Sequence, residues 1–233
     1  MNELRKVRLV GNDLSLNILE RIFNCDDLTV FSENHCNQKI FYMTSTLFEN
    51  LNKKELIETG NSLLKKVNAI CCFVKGNYIP IKIEDVSIGE RHYENIEEKI
   101  EVVDDLCIIE NGKEKDLDEN VIFEICSKIK NDQKLDEILL LLLEKGTDWV
   151  NLYRILDILD KDEDKKDLVA REWITDKDLK LLKRTANSPG AIGNEARHGR
   201  RPEYIPPPKP MSLNMAQILI KKIIWHYIKS LDE

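Results

Sequence analysis

The sequence lacks several features that would point to a function directly, and each absence excludes a class of site. Glycine is scarce, at 9 of 233 residues, and neither GxxxxGK nor GxGxxG occurs, which excludes the usual Gly-rich phosphate loops. None of the six cysteines forms a CxxC pair, and only His35-Cys36 approaches a zinc-ligand spacing, so we expect no metal site. The longest apolar run, 138–143, is far shorter than the roughly 18–20 residues that span a bilayer, so we expect no membrane partner.

Positive charge is in the minority. The chain has 35 Lys and Arg against 42 acids, a net charge of −7, which excludes a globally basic nucleic-acid coat but not a local basic patch. The first residues, MNELRKVRLVGND, show no apolar h-region and no small-residue cleavage site, so we expect no secretory signal and a cytoplasmic location. We accordingly expect the cysteines to be reduced thiols used as small core residues, and we expect no cofactor.

The first half of the sequence alternates strand and helix patterns. KVRLV at 6–10 predicts a strand, the apolar spacing of 14–23 predicts a short helix, and LTVFS and KIFYMTS predict a hairpin. Residues 53–74 keep the three-to-four apolar spacing of a longer helix, and YIPIKIEDVSI and KIEVVDDLCIIE predict further strands. We therefore expect a small α+β domain over 1–113, whose role the sequence does not indicate.

The second half has no strand pattern. Residues 94–119 hold eleven acids against three lysines, and we place a domain boundary in this stretch, after residue 113. Apolar spacing then predicts helices at 120–130, 135–143, 149–159, 168–173 and 179–186, and a last helix capped by Ser212. Residues 114–233 therefore predict an all-α helical bundle, and the chain as a whole belongs to the α+β class.

The large aromatic residues of this half fit the bundle core. Trp149, Tyr153 and Trp173 fall in apolar helical patterns, which is typical of core side chains rather than of a stacking platform. His226 lies in IIWHYI of the last helix, where we expect a hydrogen-bonded structural imidazole.

One segment, 187–210 (NSPGAIGNEARHGRRPEYIPPPKP), has neither a helix nor a strand period over 24 residues. Connections of this length are usually functional or disordered. Five of the seven prolines lie between 202 and 210, and from 183 to 210 six Lys or Arg face two acids, a local charge of +4. We therefore expect the functional residues of the chain here.

The side chains of this segment could form a binding site for an anion such as a phosphate. Arginine forks match phosphate oxygens in bidentate fashion, an imidazole exchanges protons near neutral pH, and a tyrosine ring stacks on a base. We assign phosphate or base contacts to this segment and the residues just before it. The candidates are Arg184, Arg200, Arg201, Tyr204 and Lys209, with Arg197 and His198 beside them.

The helical half, with Arg197 and His198 before the last long helix, resembles the HEPN superfamily of helical bundles. Members are common in bacterial toxin–antitoxin, abortive-infection and CRISPR systems, and active ones carry R-x4–6-H, often RNxxxH. They cut RNA without a metal, usually as dimers. In GNEARH, Asn194 and His198 have the NxxxH spacing, whereas Gly193 stands before the Asn and no Arg lies four to six residues before His198.

The resemblance implies catalytic roles for His198 as acid or base, for Arg197 on the phosphate and for Asn194, and it implies a homodimer. Because the motif arginine is missing, we favour a non-catalytic module that binds RNA, a nucleotide or a protein partner in a defence or toxin–antitoxin system. A metal-independent endoribonuclease is the alternative, and a scaffold subunit is the second. Pairing of Arg197 with Glu195 or Asp157 would favour a structural role, and exposure around a pocket would favour binding or catalysis.

Overall fold

The computed structural model of the chain describes residues 4–25, 27–35, 38–74, 78–89, 91–94, 109–110, 113–114, 122, 125, 128, 132–160, 168–197 and 205–231. The fold is mixed α+β and divides into two units. The first unit comprises Met1–Cys107 and Asp116–Cys126, and the second comprises Ile108–Lys115 and Ser127–Glu233. The chain passes between them within 107–127, which overlaps the acidic stretch noted above.

Among its described residues, the first unit contains a six-stranded antiparallel sheet and two helices with defined bounds, and Ile122 and Ile125 are also helical. In chain order the elements are β1 (Arg5–Val10), α1 (Asp13–Ile22), β2 (Asn24–Cys25), β3 (Leu28–His35), β4 (Gln38–Ser45), a 3₁₀ turn (Thr46–Phe48), α2 (Lys53–Val74), β5 (Lys82–Ile88) and β6 (Arg91–Glu94). The sheet order is β2-β3-β4-β1-β5-β6. The four long strands and two helices therefore follow the split β-α-β order, with β4 inserted between β1 and β3.

Both helices cover one face of this sheet. Val7 and Leu9 of β1 lie opposite Met43 and Phe41 of β4, and all four are buried. Helix α2 approaches the sheet closely at Gly60, where a Cβ atom would lie 3.0 Å from Val7 Cγ1. A side chain at this point would crowd Val7 and Ile83, which accounts for a glycine inside the helix.

The other face of the sheet is charged, and its charges neutralise one another. Lys6 Nζ lies 2.8 Å from Glu33 Oε1 and 3.7 Å from the centroid of the Tyr42 ring. The hydrogen bond from Lys6 lowers the pKa of Glu33 below its ordinary value. Arg8 Nε lies 2.9 Å from Glu84 Oε2. These cations are thus held by acids of the same unit.

In the described part of the second unit, the regular elements are helices and one small hairpin of β7 (Ile109–Glu110) and β8 (Lys113–Glu114). Its helices are α3 (Gln133–Lys145), α4 (Trp149–Asp160), α5 (Asp176–Ala186), the short α6 (Pro189–Ile192) and α7 (Leu213–Ser230). The backbone amides at their first turns are capped by the side chains of Asp132, Asp148, Thr175 and Ser212. The Ser212 cap confirms the predicted start of the last helix.

Two sequence predictions for this unit are wrong. Residues 168–173 form a single turn instead of a helix, because Glu172 takes a positive φ of 61° and the amide of Trp173 bonds back to the carbonyl of Leu168. The segment 187–210 is not free of helix, since it begins with α6 and a 3₁₀ turn at Gly193–Glu195. Pro189 supplies the first residue of α6, where the missing amide hydrogen is no loss.

Two kinds of feature are absent from the described residues. None of their helices combines the length and apolar character needed to cross a bilayer. Within the same residues, no three His, Cys, Asp or Glu side chains are grouped as a metal ion requires. The predicted strand KIEVVDDLCIIE falls mostly outside the described residues, and only Ile109–Glu110 of it is a described strand.

We expect the two adjacent cysteines of α2 to react slowly with thiol reagents in the native protein. Cys71 is fully buried, and burial raises the pKa of Cys72 to about 12. Because the thiolate is the reactive form, near pH 8 we expect iodoacetamide to label Cys72 roughly three orders of magnitude more slowly in the native protein than in urea. Peptide mapping by mass spectrometry measures both rates, and comparable rates would contradict the burial.

Candidate functional site

The last turn of α5 holds the basic segment, 183–210, at several points. The amide of Arg197 donates to the carbonyl of Ala186 at 2.9 Å, and the amide of Met211 donates to Thr185 Oγ1 at 3.1 Å. Arg184 Nη2 lies 3.5 Å from the carbonyl of Ile205, a long contact that brings the proline-rich part back to the same turn. Arg197 and Ile205 therefore both lie at the same helix end.

Local sequence explains why α5 stops there. Asn187 Nδ2 donates to the carbonyl of Lys183 at 2.9 Å and lies 3.4 Å from the hydroxyl of Tyr153, so it satisfies the exposed helix end. Pro189 follows two residues later. The backbone at Gly190 then lies close to Pro206: a Cβ atom on Gly190 would lie 3.1 Å from Cγ of Pro206.

Arg197 is held by two residues of α4. Its Nη2 donates to Asp157 Oδ2 at 3.0 Å, and its guanidinium carbon lies 4.2 Å from the centroid of the Tyr153 ring. The side chains of Arg197 and Asp157 are 33% and 25% exposed, so the pair is partly shielded from water. Asp157 takes one N–H donor of this guanidinium and offsets its charge, which favours a positioning role for Arg197 over a catalytic one.

Two other described cations of 183–210 differ from Arg197 in having no described acid partner. Arg184 and Lys209 are exposed, and among the described residues neither forms an ion pair with an acid. Lys183, by contrast, lies 2.6 Å from Asp160 Oδ2. Asn194 is exposed on the 3₁₀ turn. The predicted site residues His198, Arg200, Arg201 and Tyr204 lie outside the described residues, so their roles remain predictions.

Sequence reasoning missed a second cluster, formed by the turn at 168–173 and the end of α7. The turn directs Trp173 onto His226, with the ring centroids 6.2 Å apart and the planes 10° from parallel. The Arg171 guanidinium carbon lies 4.8 Å from the Trp173 centroid, and Tyr227 meets the same ring edge-on. Trp173 is only partly buried and His226 stacks on an indole, so the expectations of a core tryptophan and a hydrogen-bonded histidine are corrected.

A positive-φ glutamate is not a residue that commonly ends a helix turn, so the sequence carried no signal for this geometry. The one available signal was the spacing of the pairs Lys222/Trp225, Lys222/His226, Trp225/Lys229 and His226/Lys229. Each pair is three or four residues apart, which marks one side of α7.

Comparison of the chain with protein-family models, with curated proteins and with solved structures found no match. The resemblance to the HEPN superfamily therefore stays a prediction from the sequence.

Proposed function

We propose that the chain is a HEPN-like, non-catalytic RNA-binding module, which contacts the phosphate backbone through the cations of 183–210. The observation that carries this proposal is the contrast within the segment. Arg197 forms an ion pair with Asp157 and packs against Tyr153, whereas Arg184 and Lys209, which are also exposed, have no described acid paired to them. Exposed lysine and arginine side chains are the usual partners of RNA phosphates.

The anchoring supports binding for an energetic reason. A flexible basic segment loses conformational entropy when it binds a ligand. The segment 183–210 loses less, because hydrogen bonds already hold it to α5 at residues 184, 185 and 186. The predicted cations Arg200 and Arg201 belong to the stretch between these ties, so the proposal gives them the same role. A place in a defence or toxin–antitoxin system follows from the HEPN resemblance and is proposed on that ground.

We expect Arg184→Glu/Lys209→Glu to weaken binding of a labelled single-stranded RNA of about 20 nucleotides by at least about tenfold, because two phosphate contacts become repulsive. The slope of log affinity against log salt should fall by about two. Fluorescence anisotropy at several salt concentrations measures both. Lys209→Glu alone disturbs no described contact and should show part of the loss.

The matched control is Lys54→Glu/Lys177→Glu, which changes the net charge equally at two exposed lysines outside the segment. We expect its affinity to stay within about twofold of the unchanged chain. Equal losses in both double variants would reduce the effect to net charge and contradict the proposal. RNA recovered after incubation in EDTA should be intact on a denaturing gel, and cleavage lost in the Arg184→Glu/Lys209→Glu variant would support the ribonuclease alternative.

A further inference from the structure

Helix α7 presents a cationic and aromatic stripe on the side opposite to its buried residues. Lys222, Trp225, His226 and Lys229 lie on this stripe; both lysines are exposed and both rings are partly exposed. The opposite side of the helix packs inside the unit through Ile220, Ile223, Ile224, Tyr227 and Ile228. A helix that needs only one face for packing does not require two large rings on the other face.

Each indole near this stripe has a cation beside it. Lys229 Nζ lies 5.1 Å from the Trp225 ring centroid, and Arg171 lies against Trp173, which stacks on His226. Proteins recognise single-stranded nucleic acids with two components, aromatic rings and cations. The bases stack on the rings, and the phosphates pair with the cations. We call Arg171, Trp173, Lys222, Trp225, His226 and Lys229 the α7 cluster.

The cations of the α7 cluster are not neutralised by described acids. Among the described residues, Arg171, Lys222 and Lys229 form no ion pair with a carboxylate. Burial, together with the charges of Lys222 and Lys229, lowers the pKa of His226, so its ring is neutral near pH 7. Two described acids are linked to the cluster: Glu172 follows Arg171 in sequence, and Asp132 accepts a hydrogen bond from Tyr227.

We propose that the α7 cluster is a second binding surface, on which single-stranded nucleic acid stacks its bases. Trp173 and Trp225 receive the bases, and Arg171, Lys222 and Lys229 pair with the flanking phosphates. The proposal rests on the proposed function for the identity of the ligand as RNA, but it uses none of the residues of 183–210. The partly exposed indoles favour this ligand over a duplex or an acidic protein, neither of which offers free base faces.

Intrinsic tryptophan fluorescence tests the stacking directly. The chain has three tryptophans, and Trp149 is 3% exposed, so quenching by a base reports Trp173 and Trp225. We expect an oligouridylate of about eight nucleotides to quench the emission, with Trp173→Leu weakening its binding by about tenfold. Lys222→Glu/Lys229→Glu should weaken it as much and reduce the salt slope by about two. Trp173→Phe keeps a ring and should retain most of the affinity.

The controls separate this inference from the proposed function. Arg184→Glu/Lys209→Glu should leave the quenching by the short oligouridylate within about twofold, and so should Lys54→Glu/Lys177→Glu. If polyphosphate binds as tightly as oligouridylate and does not quench the emission, the proposal that bases stack on the α7 cluster is contradicted. The proposal that 183–210 binds phosphates is not affected by that result. Equally tight binding of polyglutamate at the α7 cluster would overturn it in favour of an acidic protein. Failure of every RNA to bind would overturn both proposals.

Discussion

Asn68→Ala is expected to lower the free energy of unfolding by about 3 kcal/mol, the largest effect of any substitution considered for this chain. Asn68 is fully buried on α2. Its Nδ2 donates to the carbonyl of Ile81 at 2.9 Å, and its Oδ1 accepts from the hydroxyl of Tyr78 at 2.7 Å and from the amide of Ile81 at 3.1 Å. Alanine leaves three buried polar groups without partners, and each carries a desolvation penalty.

The same amide fixes the chain that enters β5. The described residues just before this strand have no regular secondary structure, so the side chain of Asn68 replaces the hydrogen bonds that a ladder or helix would supply. Burial raises the pKa of Tyr78 well above its ordinary value, so its hydroxyl stays a neutral donor. Asn68 therefore stabilises the first unit through backbone geometry as well as through its own bonds.

Urea unfolding followed by far-UV circular dichroism measures the effect. Asn17→Ala, on the exposed side of α1, is the matched control and should change the stability by less than about 0.5 kcal/mol. Tyr78→Phe should lose about 1 kcal/mol, and the double variant Asn68→Ala/Tyr78→Phe should lose less than the sum, since one orphaned hydroxyl is removed. A loss below about 1 kcal/mol for Asn68→Ala would contradict the buried network.

The local elements of this fold were predictable from the sequence. Helix α2 begins and ends at the predicted residues, 53 and 74, because Leu56, Leu64, Val67 and Ile70 repeat at helical spacing along one face. The order of the strands was not predictable. Strand β1 lies between β4 and β5 because Val7 pairs with both Met43 and Val86, and no local pattern encodes pairs so far apart in the chain.

The candidate site divides in the same way. Composition located the basic segment, and Asp157 was one of two acids named as a possible partner of Arg197. The contact of Arg197 with the Tyr153 ring was not predicted, and Tyr153 was expected only as a core residue. This contact depends on how α4 packs in the unit, which the sequence of neither stretch indicates. The stack of Trp173 on His226 joins residues 53 positions apart through a strained glutamate turn. Nothing in either stretch alone indicates that contact.

Thr185→Val is expected to lower the stability of the second unit by about 2 kcal/mol and to weaken RNA binding with it. Thr185 is fully buried, its hydroxyl donates to the carbonyl of Leu181 at 2.8 Å, and it accepts from the amide of Met211 at 3.1 Å. Valine keeps the shape and removes the acceptor, so the Met211 amide is left buried without a partner. All three tryptophans lie in the second unit, and their fluorescence in urea therefore measures the loss.

Thr185→Ser separates the hydroxyl from the packing. Serine retains the acceptor and loses one methyl group, so it should lose about 1 kcal/mol through packing alone and keep its affinity for RNA. Valine, with better packing and no acceptor, should be the weaker binder, because the segment then loses its tie to α5 and must be ordered by the ligand. If the two variants bind RNA equally, the anchor at Thr185 serves stability only, and the cations of 183–210 act without preorganisation.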